Sequence, residues 1–268
     1  MLSRRLWPAA ALGLALCAGF FGMRHAGLSR ARDKPSFPAE TITAFSMQVE
    51  QALADRKASV AVVARVGRNR RDLPAGTQFT HLAYWVYQDI RLEDGRIVQG
   101  YIAHNLYQKD DQPDRSHLVN DRPAEFFALA KELEAGIIIP TPEFQAKLLK
   151  AIDSPAFRDF HNPHYSVLAS PYNTAYQNCT EHTLDVLVSA LHNTTDMQQI
   201  KDIEARDFRA QTIHLGPLES LFGPVFVPDV ATSDHDGEIR TATFETFSGF
   251  MQENGLASEI RTITYGNR

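Results

Sequence analysis

Apolar residues recur at helical spacing over residues 38–56, where Ile42, Phe45, Val49 and Leu53 form one stripe, and this predicts an amphipathic helix. The pattern then changes. Ser59 to Val66 (SVAVVARV) is short, Val-rich and without polar alternation, as a strand covered on both faces would be. Phe79 to Gln88 and Ile97 to Tyr107 predict two further strands, joined by a hairpin turn at Leu92-Glu93-Asp94-Gly95. Lys109 to Arg122 is polar and reads as a loop. Pro123 to Ala135 predicts a helix with proline in its first turn, Gly136 to Pro140 a short buried strand, and Pro142 to Ile152 a helix opened by Thr141. Residues 153–163 read as irregular and Tyr165 to Ala169 as a short strand.

The remaining pattern predicts helices over 179–192, 196–207 and 244–254, strands over 211–215 and 259–265, and a loop from Phe222 to His235 that is apolar and then acidic. Helices and strands follow one another without strict βαβ alternation, which predicts an α+β fold. No repeat or change of composition divides the body of the chain, so residues 37–268 read as a single domain.

Residues 1–24 stand apart. Arg4 and Arg5 precede an almost wholly apolar stretch from Leu6 to Met23, which Arg24 and His25 end. A basic start followed by such a run predicts a signal peptide or membrane anchor, with residues 25–36 as a linker. The expected location is therefore periplasmic, with or without anchoring to the inner membrane. The whole chain carries a net charge of −5, and residues 1–33 contain five Arg and one Asp, which leaves 22 basic and 31 acidic groups in the rest. An acidic body repels phosphate backbones, and the basic cluster Arg65 to Arg71 is too short to reverse this, so nucleic acid is not an expected partner.

Outside the N-terminal segment Cys179 is the sole cysteine, and exported proteins normally pair their cysteines or omit them. It follows Asn178, a good N-cap, and Asn178-Cys179-Thr180-Glu181 has the form of a capping box. Cys179 would then occupy the first helical position, where unpaired N–H groups and the positive end of the helix dipole favour a thiolate and could hold an oxyanion. The alternative is a small core residue. A nucleophilic thiol needs a base, usually histidine. His81 opens the aromatic strand and His104 lies on the returning one. With the turn centred on Leu92-Glu93, facing positions sum to about 185, which sets His81 opposite His104 on a shared face.

His182 lies on a neighbouring helical face, badly aimed at the thiol, and is expected to be solvated. Asp229, Asp234, His235 and Asp236 form a loop whose spacing fits neither a closed zinc pattern nor a calcium loop. No metal or cofactor is expected.

Thr80-His81-Leu82-Ala83-Tyr84, followed later by Gln177-Asn178-Cys179, resembles circularly permuted papain-like proteins, the permuted NlpC-type hydrolases and the lecithin–retinol acyltransferase-like enzymes. There a strand histidine precedes a helix-borne nucleophile, and a third polar residue orients the base. The resemblance implies a central antiparallel sheet with a packed nucleophile helix. It assigns attack to Cys179, base catalysis to His81, orientation to His104, and the oxyanion site to the helix end capped by Asn178, with Asn173 or Tyr165. The separation of His81 and His104 by 23 positions departs from that pattern.

Over residues 37–267 the chain also resembles a bacterial exported family known as domain of unknown function 2145. This rests on Phe79-Thr80-His81, Ile102-Ala103-His104-Asn105-Leu106, Pro171 to Asn178 and Leu215-Gly216-Pro217-Leu218. The expected activity is hydrolysis or acyl transfer at an amide or ester of a cell-envelope peptide, glycan-peptide or lipid. The alternative is a non-catalytic envelope binding module, with Tyr84, Trp85, Tyr87, Tyr101 and Tyr107 lining its groove.

Overall fold

The Val-rich run forms β1 (Val60–Val66), buried at every position because it lies inside a sheet covered on both faces. The structure is a computed structural model and describes residues 34–214 and 231–266. The expected export segment, most of the expected linker, Leu215 at the end of the expected 211–215 strand and the 222–230 part of the expected apolar loop lie outside the described residues. No helix among the described residues is long and apolar enough to cross a membrane.

The sheet adds β2 (His81–Arg91), β3 (Ile97–Gln108), β4 (Ser116–Asp121), β5 (Glu132–Pro140) and a late strand, Ala257–Thr264. Its order is β4-β3-β2-β1-β5 with the late strand at the far edge, and every neighbouring pair is antiparallel. Strand alternation divides the core in two. Val60, Val62 and Ala64 of β1 and Leu82 and Tyr84 of β2 face one cluster, with Leu184, Leu187 and Val188 from α5 (Cys179–His192). Here α1 is Ala39–Ala54, α2 is Pro123–Phe127, α3 is Pro142–Ile152 and α4 is Ala156–Asp159. Ala61, Val63, Ala83 and Trp85 face the other cluster, covered by Phe45, Val49 and Leu53 of α1 and Phe126 and Phe127 of α2. The remaining elements are α6 (Met197–Asp207), a small ribbon of β6 (Gln211–Ile213) and β7 (Ile239–Thr241), and α7 (Phe244–Glu253) before the final strand, β8.

The expected α+β class holds, as a six-stranded antiparallel sheet packed against helices. Four local expectations do not. Lys109 to Arg122 is no loop throughout, since β4 pairs with β3 from Ala103↔Asp121 to Gln108↔Ser116. Its polar side chains hid a strand that backbone pairing supports. The helix expected to reach Ala135 ends at Phe127, because Arg65↔Ala135 and Val66↔Glu132 pairing draws the segment into β5. Tyr165 to Ala169 makes only an isolated bridge, Tyr165↔Gln177. Residues 153–163, expected to be irregular, contain the short helix α4, and β7 is an additional element that was not expected.

Candidate active site

α5 begins at Cys179 because Asn178 leaves the helical conformation and its side-chain oxygen accepts the Glu181 N–H at 3.0 Å. Only half of the expected capping box forms. The Glu181 carboxylate turns instead to Lys201 Nζ, 2.9 Å away. Asn178 Nδ2 donates to Val167 O and Thr241 Oγ1, so the cap also ties the helix start to a loop and to the end of β7. As the first helical residue, Cys179 has an N–H with no carbonyl one turn earlier to receive it. The thiol is 8% exposed and lies beside Thr180 Oγ1 at 3.9 Å and the Leu82 backbone. Burial raises its pKa above the ordinary value, with the Leu82 and Thr180 hydrogen bonds and the Arg65 charge opposing that rise. Burial thus works against the thiolate expected from the helix end.

His81 opens β2, and its side chain lies on the sheet face away from α5, stacked on Tyr107 with ring centroids 4.8 Å apart. Its Nε2 lies 3.0 Å from Asn105 Oδ1. The donor is fixed by the rest of the amide. Asn105 Nδ2 faces two acceptors, Ala103 O at 3.2 Å and Asp121 Oδ2 at 3.1 Å, so Oδ1 must accept and His81 Nε2 must donate. Tyr107 O–H donates to the same Asp121 oxygen at 2.6 Å. This chain leaves Nδ1 as the basic nitrogen. Burial lowers the His81 pKa to about 3, with the Arg65 charge adding to the fall and the Asn105 bond opposing it. Asp121 is pushed up to about 6 by burial.

His81 and Cys179 both line one cleft of about 200 Å³ at the ends of β1 and β2, with Asn178, Thr180 and Tyr165. No hydrogen bond joins the thiol to the imidazole; they approach the cleft from opposite sides of the sheet end.

The expected His81–His104 pairing is corrected. β3 sets His104 opposite Tyr84, so facing positions sum to 188 and His104 falls on the other face. There its ring meets Phe157 edge-on at 5.7 Å, and its Nε2 lies 3.4 Å from Gln88 Oε1. Asn105, next in sequence, makes the contact assigned to His104. Tyr165 lines the cleft as expected, but Asn173 does not: its Nδ2 donates to Asp234 O, and its Oδ1 accepts the Ala175 N–H. His182 is 3% exposed rather than solvated, and its Nε2 donates to Phe157 O. Asp234 accepts the Ser170 N–H and His235 donates to Leu168 O, so both hold loops, while Asp229 lies outside the described residues.

Sequence reading took Arg65 only as part of a basic cluster and not as a site residue. It is a charged residue inside an otherwise apolar strand, which was the available signal, and it is 4% exposed. Its guanidinium lies over the rings of Tyr107 and Phe126, 5.7 and 5.4 Å from the centroids.

Residues 52–251 match the model of a family described as an uncharacterized protein conserved in bacteria (DUF2145), and the chain belongs to that family. No curated protein and no solved structure matches it.

Proposed function

We propose that this DUF2145 member is an exported cysteine hydrolase or acyltransferase with a permuted papain-like arrangement, acting on an amide or ester in the cell envelope. The observation that carries this is the His81 Nε2–Asn105 Oδ1 bond, which holds a neutral imidazole with Nδ1 unprotonated in the cleft that Cys179 lines. A raised thiol pKa and a lowered imidazole pKa both favour the neutral pair at rest. Attack is then assisted by a general base rather than made by a standing thiolate.

The mechanism requires rotation about the Cys179 side chain to bring Sγ to Nδ1 across the cleft that both residues line. As the S–C bond forms, the thiol proton passes to Nδ1, and the Cys179 N–H faces the developing oxyanion. Collapse breaks the bond from carbon to the leaving nitrogen or oxygen, which takes the proton from the imidazolium. Water or a second substrate then attacks the thioester, with Nδ1 again the base, and restores the thiol.

Incubation with a p-nitrophenyl ester tests the proposal. The expected result is a stoichiometric burst of nitrophenolate and an acyl mass increment on Cys179, lost in Cys179→Ser and slowed about 100-fold or more in His81→Ala. A second reading, a binding module on the same scaffold, is favoured by the lack of a hydrogen bond between the thiol and the imidazole. A wild-type protein that gives no acyl-enzyme with esters or thioesters would leave that reading in place.

A further inference from the structure

Arg65 is a buried cation that Asp121 attracts from nearby without forming an ion pair with it. Its Nε and Nη1 atoms are sealed from solvent with no hydrogen-bond partner, and the guanidinium makes no ion pair among the described residues. The nearby carboxylate does not serve. Asp121 feels the Arg65 charge, but its Oδ2 accepts from Asn105 and Tyr107 and no ion pair forms, so the groups in contact with the guanidinium are two aromatic faces. Ring faces compensate a buried charge only in part, and an unpaired buried ion is costly, so the fold retains Arg65 at a loss of stability. Strand position explains how it is held: Arg65 pairs with His81 across β1 and β2, which puts the guanidinium beside the base in the cleft.

We infer that Arg65 is the anchor for a carboxylate on the ligand, so that the cleft accepts acyl compounds bearing a free carboxylate close to the carbonyl presented to Cys179. Calling that ligand a substrate rests on the hydrolase proposal above; the binding itself does not. One guanidinium in a chain of net charge −5 suits a monoanion. A phosphate dianion would call for further cations, and the cleft lining includes Asp72 as well as Arg68. The C-terminal carboxylates of short peptides have the required chemistry, as do acidic side chains next to a scissile amide.

The test uses the full chain carrying Cys179→Ala, so that no turnover intervenes, and an isosteric pair of probes, N-acetylglycine and N-acetylglycinamide. Calorimetry should give tighter binding of the acid by about 10- to 100-fold, the range expected for a hydrogen bond to a charged group. Arg65→Met should remove that preference. The same variant should melt at a higher temperature than its parent without ligand, because an uncompensated charge is gone, so misfolding would be visible separately. Equal binding of acid and amide, binding of neither, or a preference that survives Arg65→Met overturns the inference. Acid preference in a protein whose wild-type cysteine never acylates would keep the carboxylate site and refute only the hydrolase proposal.

Discussion

His81 Nε2 donates to Asn105 Oδ1 over 3.0 Å, and Asn105 is itself clamped by the Asp121 carboxylate. The imidazole is thus oriented by the residue that follows His104, not by His104. Asn105→Ala should slow acylation of Cys179 by about 3- to 10-fold, the worth of one hydrogen bond, and shift the pH–rate profile as the ring loses its fixed tautomer. His104→Ala should leave the profile unmoved. Burst kinetics over a pH series, normalised to folded protein, decide between them; equal effects of the two variants would deny Asn105 a positioning role.

The exchange of roles shows what was legible in the sequence and what was not. The turn was centred on Leu92-Glu93, but the chain closes a five-residue loop, with Arg91↔Ile97 paired and the Leu92 N–H donating to Arg96 O at 2.8 Å. Gly95, at φ 84°, supplies the left-handed residue this wider turn needs. A change of three positions reverses the face of every residue on one strand relative to the other, so the partner moved from His104 to its neighbour. The start of α5 was legible because a cap and an apolar stripe are local signals. β4 and the true start of β5 were not, since pairing with distant strands makes them. Arg65, Tyr107 and Asp121 meet His81 and Asn105 only through sheet register, which pattern alone does not fix.

Cys179 should show the titration of a buried thiol. Burial raises its pKa, and Arg65 is the nearby charge that opposes the rise. Alkylation by iodoacetamide should be slow near pH 6 and still rising at about pH 9, above the ordinary thiol value. Arg65→Met should move the curve to higher pH. A plateau at neutral pH would mean that a standing thiolate, and not general-base assistance, drives the chemistry.

His81 should make the fold acid-sensitive. Its folded pKa is about 3 against an ordinary value of 6.5, so between those limits the unfolded chain binds the proton and the folded chain does not. Stability from this group is complete above pH 6.5, declines as pH falls toward 3, and changes no further below that. Asp121, raised to about 6, acts in the opposite sense, since its folded form keeps a proton that the unfolded form has lost. The difference in unfolding free energy between wild type and His81→Gln isolates the histidine. It should be flat above pH 7 and move against the wild type as the pH is lowered; a flat difference down to pH 4 would contradict the burial of a neutral ring.

Gly136 allows β5 to pass beneath an aromatic pair, Phe79 and Phe244, the first of which lines the cleft. A Cβ there would lie 2.7 Å from Phe244 Cζ and 2.8 Å from Phe79 Cε2, and those rings already meet edge-on at 4.9 Å between centroids. Gly136→Ala should cost about 1–3 kcal/mol by overpacking. Thermal melting reads the loss directly. Because Phe79 lines the cleft, ligand affinity should fall with it.

Behind the cysteine, Lys201 Nζ is held by Glu181 at 2.9 Å, Asp185 at 2.6 Å and Glu204 at 3.0 Å, all buried, which fastens α6 to the first turns of α5. Three carboxylates around one ammonium leave excess negative charge, and burial pushes Glu181 up to about 8, so it carries a proton near neutrality. Lys201→Met should cost about 3–5 kcal/mol, because it strands the carboxylates without a cation. That loss has a pH signature. Loss of the cation tightens the carboxylates' hold on protons in the folded state, so the deficit should be largest at alkaline pH and shrink as pH falls. Glu204→Gln in the Lys201→Met background should recover part of the stability. Cys179 sits in the turn that Glu181 secures, so its acylation should slow in Lys201→Met and return with the second substitution. Denaturant midpoints across pH test the electrostatic account, and a deficit independent of pH would assign the loss to packing alone.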